Sequence, residues 1–292
     1  MLARFDPFVP TGRAAVLLAA VVWSTGGLAI KALPLGGLAI VGARALVTVA
    51  FYALVCRPDL RSARLSSALP YAAMLLTYVT ATKLTTAANA IVLQYSGTAW
   101  LIVLTPWFLR EPLRRADLLA ALACLGGVGL CALDVGAPEG PLRETAALGN
   151  ALALASGIFY AFAVLAMRRD TLEGREVAST TLGNLLAALV ALPLAATPLG
   201  DFLHGPVVGG LLWLGIVQIG IAYLLFQRGM RTVSAATAAL LVLIEPVLSP
   251  IWAWWGTGEA PGPWTLAGGG VVVGVLAARE WQGMRSAANT TT

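Results

Sequence analysis

The sequence contains little charge. Aspartate, glutamate, lysine and arginine make up only 11% of its 292 residues, whereas hydrophobic residues make up 59%. Soluble globular domains contain about 25% charged residues and roughly 45–50% apolar ones, so a water-soluble fold of this composition would lack polar surface. The chain is therefore predicted to be an all-α integral membrane protein, whose immediate partner is the lipid bilayer.

The residue types that build metal and cofactor sites are also scarce. The chain has one histidine, His204, and three cysteines, which lie in or beside apolar runs without CxxC or Cys/His spacing. It contains no GxxxxGK[ST] phosphate-binding loop. These absences predict no metal and no cofactor, and they exclude ATP as an energy source within this chain.

Ten apolar runs are long enough to cross a bilayer, since a spanning helix needs ~20 mostly apolar residues and tolerates ~17. If both termini are cytoplasmic, nearly all the arginines fall inside, and only Lys31, Lys83 and Arg143 fall outside. This bias predicts a multi-pass protein of the cell (inner) membrane. The net charge of +5 is scattered between apolar runs, which argues against a nucleic-acid partner. The predicted spans are 14–33, 36–56, 66–83, 86–109, 117–134, 146–167, 177–197, 207–227, 234–255 and 264–278.

The chain also repeats itself. Residues 83–90 and 231–238 share a pattern, each opens a long apolar run, and in the same register Glu111 corresponds to Glu259. Two five-helix repeats are therefore predicted, at residues 1–140 and 141–292. Because five is an odd number of spans, the second repeat would be inverted. Such repeats are the usual sign of a secondary transporter whose site lies between its halves.

Several short motifs follow one another in a recognisable order. They are Trp23-Ser24 in the first span with Lys31 at its end, Arg44 in the second, Ala87-Ala88-Asn89-Ala90 opening the fourth, and Glu245-Pro246 in the ninth. Their order and spacing resemble the EamA family of the drug/metabolite transporter superfamily over essentially the whole chain. Within that family the chain looks most like bacterial amino-acid exporters of the YddG type. The resemblance implies a fold of two inverted five-helix repeats and a role in metabolite export.

Only two ionisable residues, Arg44 and Glu245, lie deep within the predicted spans. A charged residue at the centre of a spanning helix costs ~2.5–3.5 kcal/mol on insertion scales, so both are candidate functional residues. In one interpretation Glu245 takes up a proton or meets a substrate ammonium group, and Arg44 contacts substrate. In the other, the two residues form a permanent ion pair, or Glu245 bonds backbone groups freed near Pro246, and their role is structural.

Polar and aromatic residues on several predicted helix faces would line a cavity around these charges. Such a mixed lining suits a zwitterion with an apolar side chain, although interhelical hydrogen bonding and packing are the structural alternatives for each residue. The candidate substrate-binding residues are Trp23, Tyr78, Gln94, Thr98, Tyr160, Gln218, Tyr223 and Glu245.

These features favour a secondary transporter that exports small metabolites, with aromatic or apolar amino acids as the leading substrates, by alternating access. It would act as a monomer or weak homodimer, either downhill or in exchange for protons. The alternatives are a channel, a lipid-translocating protein, and an exporter of drugs or other metabolites. An enzyme is not predicted, because the chain lacks clustered aspartates or a His/Asp/Ser set at membrane depth.

Overall fold

The computed structural model describes residues 12–112, 115–131, 133, 142–257 and 262–289. Within these residues the protein is all-helical, which confirms the predicted class, and no strand is present. Glu259 and the predicted boundary between the repeats at 140–141 lie outside the described residues. The α-helices are α1 Gly12–Ser24, α2 Gly26–Ala32, α3 Gly37–Val55, α4 Leu65–Leu84, α5 Ala87–Tyr95, α6 Gly97–Leu109, α7 Arg115–Cys131, α8 Leu142–Leu172, α9 Glu176–Ala195, α10 Gly205–Leu212, α11 Ala222–Met230, α12 Ala235–Leu241, α13 Glu245–Thr257 and α14 Pro263–Asn289.

Six helical stretches are long and apolar enough to cross a membrane, so the protein is a multi-pass membrane protein. Two shorter apolar helices, Ala235–Ser249 and Leu266–Ala278, also occur. A helix lies at each of the ten predicted runs, and α4 and α7 cover the two that are less apolar. The six stretches are Gly12–Ala32, Gly37–Val55, Asn89–Leu109, Leu142–Leu172, Glu176–Ala195 and Gly205–Met230.

Several of these stretches are interrupted near their middles. Between α5 and α6, the Ser96 hydroxyl donates to the Leu93 carbonyl at 2.7 Å. There α6 approaches α8 so closely that a Cβ on Gly97 would overlap the Gly157 carbonyl. A π-helical segment, Trp213–Ile221, joins α10 to α11, and a 3₁₀ turn, Val242–Ile244, joins α12 to α13. Such irregular turns concentrate at functional sites, because they redirect side chains and free carbonyl groups.

Four pairings of helices organise the bundle. Helix α3 lies against α9, and α7 lies against α14. Helix α4 packs along α8, and α1 packs along α11. Helix α1 contacts both the π-helical segment and the 3₁₀ turn, and the π-helical segment also contacts α3. We call this region, which holds the candidate site, the middle of the bundle.

Candidate functional site

Arg44 on α3 is fully buried and its partner is uncharged. Its Nη1 donates to Oε1 of Gln218 at 3.2 Å. Gln218 belongs to the π-helical segment, which α3 also holds through its carbonyls: Thr48 donates to Gly215 at 2.8 Å and Tyr52 donates to Gly220 at 3.0 Å. The segment is thus fixed to the helix that carries Arg44. Nε of Arg44 is buried and has no hydrogen-bond partner among the described residues.

An aromatic cluster lies beside this arginine. The ring of Trp23 packs on Tyr223 and Phe226, with centroids 4.7 and 5.0 Å apart, and Tyr71 meets Tyr223 edge-on at 5.0 Å. Tilted and edge-on pairs of this kind are favourable beyond the area they bury. Arg44 lies close enough to Tyr71, Tyr78 and Tyr223 to interact with them electrostatically, so it lies near the same cluster. Nε1 of Trp23 is buried without a hydrogen-bond acceptor in the described part of the chain.

Glu245 starts α13 and also has an uncharged partner. Its Oε2 lies 2.6 Å from the hydroxyl of Tyr95, which lies 3.1 Å from the Val242 carbonyl. The residue after Glu245 is Pro246, which has no N–H, so the Val242 carbonyl lacks its usual donor four residues on. The ring of Tyr160 lies 6.1 Å from that of Tyr95, and its buried hydroxyl has no hydrogen-bond partner in the described segments.

The two deep charges do not form an ion pair. Each is held by neutral groups, Arg44 by Gln218 and Glu245 by Tyr95. Tyr78 and Tyr223 lie within electrostatic range of both charges. The site therefore contains one basic and one acidic side chain, both buried and each hydrogen-bonded to a neutral group rather than to the other. Among the described residues no group of three or more histidine, cysteine, aspartate or glutamate side chains is placed to hold a metal ion.

Six of the eight predicted site residues lie in this region: Trp23, Tyr78, Tyr160, Gln218, Tyr223 and Glu245. The other two are Thr98 and Gln94. Thr98 is fully buried, and its hydroxyl has no hydrogen-bond partner among the residues that the structure describes. Gln94 is only half-buried. Tyr95 and Phe226 also lie at the site but were not predicted from the sequence. A face of the fourth span at four- and three-residue steps (Ile91, Tyr95, Thr98, Ile102, Thr105) is buried throughout and could have identified Tyr95.

At one end of the bundle, charged side chains pair with side chains of opposite charge. Here, at what we call the arginine end, Arg168 contacts Glu111 at 2.8 Å and Arg231 contacts Glu176 at 2.8 Å. Glu111 also accepts from the backbone N–H of Ala235 at the start of α12, at 3.1 Å. These contacts tie the ends of α6, α8, α9 and α11 to the start of α12.

At the opposite end, two lysines bond backbone carbonyls instead. Nζ of Lys31 donates to Thr85 at 2.7 Å, and Nζ of Lys83 donates to Leu33 at 2.6 Å. These bonds join the ends of α2 and α4 in a reciprocal pair. Both ends of the bundle are therefore held by specific polar contacts, but among the described residues these contacts involve carboxylates at the arginine end and backbone carbonyls at the other.

Comparison with known proteins agrees with this architecture. Residues 147–278 match the EamA-like transporter family. The chain carries an EamA-like transporter domain. Over these residues, the match confirms the resemblance seen in the sequence. The matched residues include α9 to α13, and thus Gln218, Tyr223 and Glu245 of the site.

The fold is also found in solved structures. The chain is similar to one protein of known crystal structure over 94% of its own length and 99% of that chain, with a TM-score of 0.72 and 22% sequence identity. At this identity the likeness concerns the fold alone. No curated protein matches the chain in sequence.

Proposed function

We propose that this EamA-domain protein is a secondary transporter that exports amino acids with aromatic or apolar side chains across the cell (inner) membrane by alternating access. One observation carries the proposal: Arg44 and Glu245 are buried charges of opposite sign, each held by a neutral partner, with aromatic rings close to both. A free amino acid has a matching arrangement of carboxylate, ammonium group and side chain.

The free hydrogen-bonding groups suggest how each part of the substrate binds. Nε of Arg44 and Nε1 of Trp23 are donors without protein acceptors in the described chain, so both can serve a carboxylate. Glu245 is the anion that would meet the ammonium group. The rings of Trp23, Tyr223 and Phe226 offer the apolar surface for a side chain.

The contacts of Glu245 also suit a residue that carries a proton. The Tyr95 hydroxyl has one proton and two acceptors, the Glu245 carboxylate at 2.6 Å and the Val242 carbonyl at 3.1 Å. When Glu245 is charged, Tyr95 donates to it. When Glu245 is protonated, it can donate to Tyr95, which then donates to Val242. Both states keep Glu245 hydrogen-bonded, so proton uptake there needs no rearrangement of the backbone.

The packing supports two inverted repeats, at 1–140 and 141–292. In that arrangement α3 is equivalent to α9, and α7 to α14, and these helices pair with their equivalents. The α4–α8 and α1–α11 contacts are equivalent to each other in the same way. The arginine end would face the cytoplasm, together with both termini, by the positive-inside rule. Exchange between two such equivalent packings is the basis of alternating access.

The test is uptake into proteoliposomes that contain the purified protein. Radiolabelled amino acids are tried with no pH gradient and then with an imposed one, beside protein-free liposomes. Saturable uptake and counterflow of aromatic or apolar amino acids are expected, and counterflow distinguishes a carrier from a channel. If folded protein moves none of them, the substrate assignment is wrong, and drugs, lipids and other metabolites are tested next.

A further inference from the structure

A small cavity lies near the arginine end, between α4, α8 and α9. Its volume is about 10 Å³, which is enough for one water-sized particle. Two apolar side chains, Ala163 and Met167, line it together with six oxygen-bearing ones: Ser67, Tyr71, Asp170, Glu176, Ser179 and Thr180. Two of these side chains are carboxylates, and both are buried.

Three of the four carboxylate oxygens at this cavity lack hydrogen bonds. Neither oxygen of Asp170 has a hydrogen-bond partner among the described residues, and nor does Oε2 of Glu176. Buried polar atoms are paired in the great majority of cases, so such a cluster calls for a ligand. Three buried carboxylate oxygens without partners, on two side chains that line the same small space, indicate a bound cation rather than a chance defect.

Nearby arginines balance these charges only in part. Arg231 contacts Oε1 of Glu176 at 2.8 Å, which leaves Oε2 free. Arg64 lies 3.5 Å from Asp170 but only 2.6 Å from Glu173, so its charge serves mainly Glu173. Glu173 is further shared with Arg169 and Arg175, at 3.5 and 3.3 Å. Asp170 is therefore the least compensated carboxylate in this group.

We propose that this cavity binds one monovalent cation of the size of sodium. Hard cations prefer oxygen ligands, and the side chains that line the cavity offer carboxylate and hydroxyl oxygens. Because Arg64 and Arg231 already compensate part of the negative charge, a monovalent cation is favoured over a divalent one. Magnesium is also disfavoured, because it requires octahedral coordination and retains several water ligands. Since the cation would join side chains of α4, α8 and α9, its binding stabilises the packing of these helix ends. Tyr71 lines the cavity and also packs on Tyr223, so the cation site adjoins the proposed substrate site.

The experiment uses purified full-length protein without any transport substrate. The midpoint of thermal unfolding is followed by tryptophan fluorescence while sodium chloride replaces choline chloride at constant ionic strength. A saturable rise of the midpoint is expected with sodium, because a ligand that binds only the folded state stabilises it. Binding of radioactive sodium to the immobilised protein gives the stoichiometry, which should be one per chain.

Asp170→Asn should abolish both signals, whereas Glu144→Gln should keep them, because Glu144 is an exposed carboxylate on the same helix and does not line the cavity. Ser67→Ala removes a single lining hydroxyl and should weaken sodium binding several-fold, which provides a second test if Asp170→Asn does not fold. An equal rise of the midpoint in choline, or a sodium response that survives in both lining variants, overturns the proposal and leaves water as the occupant. Neither outcome depends on transport.

Discussion

The middle of the bundle and its arginine end hold charge in opposite ways. In the middle, Arg44 and Glu245 have neutral partners and stay apart. At the arginine end, Glu111 and Glu176 each meet an arginine at 2.8 Å. A hydrogen bond to a charged group contributes about 1.5–3 kcal/mol, close to the ~2.5–3.5 kcal/mol insertion cost of one deep charge. The deep charges are thus tolerated without pairing with each other, as the proposed substrate site requires.

The comparison predicts that substitutions in the middle act on transport, whereas substitutions at the arginine end act on stability. The largest effect is expected for Arg44→Gln, which removes the only deep cation in the described chain. Uptake should fall about 100-fold, equivalent to about 2.7 kcal/mol, because a charged bond to the substrate carboxylate is lost. Arg44→Lys is the matched control: it keeps the charge but not the planar fork, and should retain part of the uptake. Full uptake by Arg44→Gln would make Arg44 a structural residue.

Glu111→Gln should produce the next largest effect, on stability. It removes the ion pair with Arg168 and weakens the bond to the Ala235 N–H, for a loss of about 2 kcal/mol in a partly buried pair. That loss corresponds to a fall of roughly 5 °C in the unfolding midpoint. The substrate concentration at half-maximal uptake should stay the same. Glu144→Gln removes the same charge from an exposed position and should leave the midpoint unchanged. A transport defect without loss of stability would contradict the comparison.

Glu245→Gln should reduce uptake about 10-fold and remove its dependence on pH. Glutamine can still accept a hydrogen bond from Tyr95, but it cannot exchange a proton, and a charged acceptor is worth ~1.4 kcal/mol more than a neutral one. The control is Tyr95→Phe, which removes the hydrogen bond and keeps the carboxylate, so its uptake should still respond to pH. If uptake by Glu245→Gln follows the same pH profile as the parent, Glu245 takes no part in proton movement.

Trp23→Phe should weaken substrate affinity several-fold. Phenylalanine keeps an aromatic ring against Tyr223 and Phe226 but lacks Nε1, and one neutral hydrogen bond is worth about 1 kcal/mol. Competition with unlabelled substrate measures the change in half-maximal concentration. Trp255 is exposed, so Trp255→Phe makes the same chemical change where no substrate contact is expected. Equal effects of the two substitutions would assign Trp23 to packing.

Sequence patterns predicted the class of fold, the positions of the helices and both deep charges. Composition and apolar run length suffice for these, because the bilayer restricts a spanning segment to one length and one type of structure. The partners of Arg44 and Glu245 were not predictable. They depend on the π-helical turn at Gln218 and the 3₁₀ turn before Glu245, which shift side chains away from the faces that a regular helix would give. The buried face containing Tyr95 was present in the sequence, but Gln94, one residue earlier, was predicted to bind substrate instead.

The smallest effect is expected at Glu173, an exposed member of the arginine end. Two bonds from Arg64 hold the pKa of this carboxyl below its usual value. A carboxylate with a lowered pKa in the folded state adds stability above its unfolded pKa of about 4.3, and this contribution is lost as the pH falls through the folded value. The unfolding midpoint of Glu173→Gln should therefore lie slightly below that of the parent at neutral pH and approach it below about pH 4. A constant difference across that range would show that Arg64 does not stabilise the charged form of Glu173.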